Sequence, residues 1–191
     1  MRGKGFSAAL VIGVASLGVA TFALAGGSGA GFNHLKADLS GYQEVPSVST
    51  QGSASFTADV SSDGTSIAWE LSYANLEATV QQSHIHFGQR SVNGGISVFL
   101  CTNLGNGPAG TQACPPAPAR ISGTITAADV IGPAGQGIAA GEIDELISAI
   151  RVGAAYANVH TSTYPGGEIR GQFDGDDDDD HHGGGGHRGD D

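Results

Sequence analysis

The sequence predicts a mainly β protein, an antiparallel Greek-key β-sandwich with one short inserted α-helix. Three observations lead there. Apolar and polar residues alternate in short runs from Leu35 to Phe173, Gly- and Pro-rich turns punctuate those runs, and the period lengthens only once, between Gly141 and Gly153. Many short strands with a single helix are the pattern of a sandwich. Connections too long for a simple meander favour a Greek key.

The elements follow in chain order. Leu35, Ala37 and Leu39 alternate with polar neighbours, as do Ala54, Phe56, Ala58 and Val60. After Ser62-Asp63-Gly64, a turn that joins two strands as a hairpin, the same period runs through Ile67, Trp69, Leu71 and Tyr73. Val80 to Gly88, Ile96 to Cys101 and Arg120 to Thr126 supply three more strands. Between Gly141 and Gly153, Ile143, Leu146, Ile147 and Ile150 recur at helical spacing, with Glu142, Asp144 and Glu145 at the start and Arg151 at the end. Gly153 is the expected C-cap. Strand spacing resumes with Tyr156, Asn158 and His160 on one face and Ala157, Val159 and Thr161 on the other. The Pro165-Gly166-Gly167 turn then leads to a last strand on which Glu168, Arg170 and Gln172 share a face.

The two ends read differently from this body. Arg2 and Lys4 precede an apolar run from Phe6 to Leu24 that closes on Ala23-Leu24-Ala25, the pattern of a signal peptide over residues 1–25; a retained membrane helix is the alternative. No cysteine follows that run, which argues against a lipoprotein anchor. Residues 26–34 read as a linker and 35–173 as one domain. Residues 174–191, with eight aspartates, one arginine and the histidines His181, His182 and His187, read as a disordered acidic tail.

The formal net charge is −11, and loss of the leader removes two basic residues and no acid. The body carries no basic patch, so neither nucleic acid nor an anionic membrane is an expected partner. After signal cleavage no membrane span is expected. Cys101 and Cys114 flank a loop containing Gly105, Gly107, Pro108 and Gly110, and in an exported chain such a pair reads as a disulfide. Two thiolate metal ligands are the alternative.

The chemistry-bearing residues are histidines. His84 and His86 are one residue apart, so on a strand both point to one face, with Ile85 and Phe87 on the other. Two imidazoles so placed can share a copper or zinc ion at ~2 Å from each nitrogen. Alternatively they are polar residues on a solvated face. His160, on the polar face of a later strand, supplies the third imidazole if the two strands are neighbours. Arg170 then comes close, either in a structural ion pair with Glu168 or Glu44 or as a guide for an anion.

Leu39 to Pro46 (LSGYQEVP), Ser83 to Gly88 (SHIHFG), Ala157 to Thr161 (ANVHT) and Tyr164 to Gln172 (YPGGEIRGQ) together resemble the CHRD domain, the module named after chordin, over residues 35–173. The resemblance implies an extracellular module. Animal members antagonise growth factors, whereas stand-alone exported members of this size are mostly of uncharacterised function. More distantly, the order His-x-His, Val-His, then Gly-Gly followed by an arginine is similar to copper/zinc superoxide dismutases, which are Greek-key sandwiches. That similarity implies copper on His84, His86 and His160, with Arg170 steering an anionic substrate. No histidine lies between His86 and His160, so the bridging imidazole of that family has no counterpart.

Three functional readings result. The first is a secreted binding or structural module with a three-histidine copper or zinc site on His84, His86 and His160. The second is a copper-dependent oxidoreductase of superoxide dismutase type, in which Arg170 alone would have a catalytic role. The third is an extracellular protein-interaction module without metal, its protein partner unspecified. Hydrolysis finds no Gly-x-Ser-x-Gly elbow or carboxylate pair, and the glycine-rich segments lack the lysine of a phosphate loop.

Overall fold

The structure, a computed structural model, describes residues 33–174. The expected signal peptide, most of the expected linker, and the tail beyond Asp174 lie outside the described residues. All described residues belong to one compact unit.

Eight strands form the body: β1 (His34–Ser40), β2 (Ser53–Val60), β3 (Ser66–Ala74), β4 (Val80–Phe87), β5 (Gly95–Thr102), β6 (Ala119–Thr126), β7 (Ala155–Thr161) and β8 (Ile169–Gln172). They make one antiparallel sheet in the order β5-β4-β7-β8-β1-β2-β3-β6, nearly closed on itself. The sandwich expected from the alternation thus takes a barrel-like form. The connections from β3 to β4, β5 to β6 and β6 to β7 all leave the meander; the latter two are long, as expected, whereas the first takes only residues 75–79.

The alternation works as the hydrophobic effect requires. Leu35, Ala37 and Leu39 of β1, Phe56 and Ala58 of β2, and Ile67, Trp69 and Leu71 of β3 face inward, while their neighbours are largely exposed. The β2–β3 hairpin turns at Ser62-Asp63-Gly64, where Gly64 takes φ +70° and Asp63 caps the turn by accepting from the Ser61 and Thr65 hydroxyls. The helix α1 (Ile143–Arg151) buries Ile143, Leu146, Ile147 and Ile150. It ends at Gly153, whose N–H bonds the Ile150 carbonyl at φ +66°, as expected of its C-cap.

The β5 and β6 edges of the sheet are joined by a loop. Gln112 accepts from the Thr102 N–H at 2.9 Å, and its side-chain amide donates to Leu100 O on β5 and Ser122 O on β6, each at 3.2 Å. The disulfide Cys101–Cys114 and the Asn103 amide, bonded to the carbonyls of Val80 and Cys114, hold this loop to the end of β5. Since both cysteines are in that bond, thiolate ligation is corrected to a structural cross-link.

The second face of β7 departs from the simple pattern. Every residue of β7 and β8 is buried, including Tyr156, Asn158, His160, Arg170 and Gln172. Alternation on a solvated sheet would leave that face wet. Here loops pack over it, the 88–94 segment above all, so a polar layer lies behind the apolar core. Glu168 does not join that layer with Arg170. It lies just before the first paired residue of β8 and accepts from the Thr50 and Thr161 hydroxyls and the Glu77 N–H, at 2.7 to 2.9 Å.

Candidate metal centre

The register of β4 against β7 assembles the histidines. His84 stands opposite Asn158, His86 opposite Tyr156, and Gln82 opposite His160, so the side chains of His84, His86, Asn158 and His160 project from one face of two adjoining strands. The three imidazoles are 0%, 8% and 6% exposed, and one nitrogen from each lies within 4.8 Å of the others. His84 Nδ1 and His160 Nε2 are 3.1 Å apart. The solvated-face alternative for His84 and His86 is therefore corrected: the loop over β4 and β7 takes both out of water.

Backbone carbonyls set two of the tautomers. His86 Nδ1–H donates to Gly94 O at 2.9 Å and His160 Nδ1–H to Pro165 O at 3.0 Å; a carbonyl only accepts, so each ring turns an Nε2 lone pair inward. Carbonyl orientation of this kind is the usual outer support of a metal-ligating histidine. The Nε2 atoms of both His84 and His86 are buried with no hydrogen-bond partner. Burial, then the nearness of His160 and His86, drives the His84 pKa down to about 2; burial, partly offset by the Gly94 carbonyl, takes His86 to about 4; burial also lowers His160. All three are neutral near pH 7, the protonation state that ligates a metal.

The surroundings lock this arrangement. Tyr156 stacks on His86 with ring centroids 4.8 Å apart and planes 2° from parallel, its hydroxyl accepts from Gly94 N, and Arg170 lies over its ring at 3.4 Å. Arg170 donates to Val92 O and Gln89 O at 3.0 Å and to Gln172 Oε1 at 3.1 Å, while Gln172 holds Gly88 O. Together they clamp the loop that roofs the histidines. Gly94 is required there, because a Cβ would overlap the Phe87 carbonyl.

Arg170 thus has a different role from either expected one. The residue is 1% exposed and its guanidinium is fixed on carbonyls, which is unlike a guide for incoming anions, and Glu168 is engaged elsewhere. Glu44 is close enough for its charge to favour that of Arg170 without a direct ion pair. Burial raises the Glu44 pKa to about 7 against the opposing effects of Arg170, the Val45 N–H and the Asn158 amide. Its Oε1 is buried without a partner.

Two contributors escaped the sequence reading. Asn158 was legible only as a member of the polar face, although Asn-x-His on β7 mirrors His-x-His on β4. The carbonyls of Gly94 and Pro165 carry no side-chain signal at all. Comparison with known proteins adds one match: the model of the CHRD domain family fits residues 35–173. No curated protein and no solved structure matches the chain.

Proposed function

The chain belongs to the CHRD domain family, and we propose that it is a secreted binding or structural module whose body holds one copper or zinc ion on His84, His86 and His160. The observation that carries this reading is the convergence of three buried, neutral imidazoles, two of them with an unpartnered nitrogen. A buried polar atom without a partner costs about 1–3 kcal/mol, and such sites are retained where a ligand satisfies them. Imidazole donors suit copper and zinc better than the hard cations calcium and magnesium. A bound ion would supply positive charge to the inward lone pairs and tie β4 to β7.

Export is supported by the leader-like N-terminal sequence and by the Cys101–Cys114 bond, which persists in oxidising compartments. Binding is favoured over oxidoreductase turnover because Arg170, the arginine expected to guide an anion, is buried and engaged on backbone carbonyls.

The test is metal content of the full chain carrying His181→Ala, His182→Ala and His187→Ala, which removes the tail imidazoles. After loading with copper or zinc and dialysis against a weak chelator, one equivalent per chain is expected. His84→Ala or His86→Ala should lose it. Absence of stoichiometric metal in the parent would overturn the reading and leave a metal-free interaction module.

A further inference from the structure

Asn158 stands two residues before His160 on β7 and directly opposite His84 on β4, so it completes a four-cornered set with the three histidines. It is 3% exposed. Its Oδ1 lies 3.0 Å from His160 Nε2. That imidazole has already given its Nδ1–H to the Pro165 carbonyl, so its Nε2 presents a lone pair. An amide oxygen presents lone pairs too. Two acceptors therefore face each other at hydrogen-bond distance with no proton between them, an arrangement that a cation makes favourable.

The Asn158 amide also lies near the Glu44 carboxyl, whose pKa it lowers against the rise that burial imposes. Glu44 is packed against Gly167, where φ is +129° and a Cβ would collide with the carboxyl.

Resting on the metal reading above, we propose that Asn158 Oδ1 is the fourth donor of the centre. Three imidazoles and one amide oxygen make a closed set of protein ligands. Structural sites are closed in this way, whereas catalytic ones keep a position open for water or substrate. The oxygen is a hard donor, so the site selects a divalent ion, Zn²⁺ or Cu²⁺, over Cu⁺.

The experiment uses the full chain with the three tail histidines replaced by alanine. It measures Cu²⁺ and Zn²⁺ affinity by chelator competition and the electron paramagnetic resonance spectrum of the Cu²⁺ form. Asn158→Leu is expected to weaken binding about 10- to 100-fold and to change the copper hyperfine splitting. Asn158→Asp, which keeps an oxygen donor, should retain or tighten binding with its own shifted spectrum. If Asn158→Leu does not fold, the Asn158→Asp spectrum decides, and one identical to the parent overturns the proposal. Parent-like affinity and spectrum in Asn158→Leu would remove Asn158 from the ligand set while leaving the three-histidine site intact. A parent that binds no metal, or His84→Ala that binds as the parent does, would instead defeat the underlying metal reading.

Discussion

His84 and His86 are held neutral by burial, while Glu44 is held toward its protonated form, so these residues push stability in opposite directions with pH. For the two histidines the folded pKa lies below the unfolded value. Their contribution is present above about pH 6.5 and is lost as acid protonates the unfolded chain. For Glu44 the folded pKa is raised to about 7, so its contribution is present below about pH 4.5 and is lost as pH rises through 7. Between pH 7 and pH 5 the histidines outnumber the carboxyl. Metal-free protein is therefore expected to lose stability on that acidification, and Glu44→Gln to lose about 2 kcal/mol more, since a tenfold change in a protonation equilibrium corresponds to ~1.4 kcal/mol. Urea unfolding at both pH values checks this; a midpoint that rises on acidification would contradict it.

At the scale of elements, β4 and β7 do most to build the site. Each carries a pair of donors at alternate positions, and the antiparallel register sets one pair against the other. The roof over them, the 88–94 segment, has its backbone held by side chains of β4, β7 and β8: His86, Tyr156, Arg170 and Gln172. The loop after β5 is held differently, by a covalent bond across 13 residues. On the chain-entropy model such a bond contributes roughly 3 kcal/mol. Replacing Cys101 and Cys114 together by alanine is expected to lower unfolding free energy by about that amount, measured by denaturant titration. An unchanged midpoint would show that Asn103 and Gln112 alone suffice to hold the loop.

Over the whole molecule, one sheet encloses the apolar core and stays open only at the seam between β5 and β6. Gln112 bridges that seam with a side-chain amide to each edge and a backbone bond to β5. Bridging an edge in this way also removes unpaired carbonyls that would otherwise recruit another chain. Gln112→Ala deletes two hydrogen bonds and is expected to cost about 1–3 kcal/mol, with faster amide exchange confined to β5 and β6. Exchange that quickens evenly across all strands would show that the seam is not a separate unit. Among the described residues no helix is long and apolar enough to cross a membrane.

The strands, the one helix and its glycine cap were legible because periodicity and turn chemistry are local. Leu35, Leu39, Phe56 and Ile67 face the core in the tertiary structure as their spacing requires. The disulfide pair and the three histidines were legible as residue types whose chemistry needs partners. Three things were decided only by the fold. The polar face of β7 and β8 became an interior, because a segment distant in sequence covers it. Arg170 became a clamp on that segment's carbonyls, since a guanidinium so enclosed must find acceptors nearby. Asn158 was set against the histidines by the register of β4 and β7, strands about seventy residues apart in the chain. Local pattern states which side chains leave a strand on the same side; whether that side meets water, a loop or an ion depends on what distant chain segments bring against it.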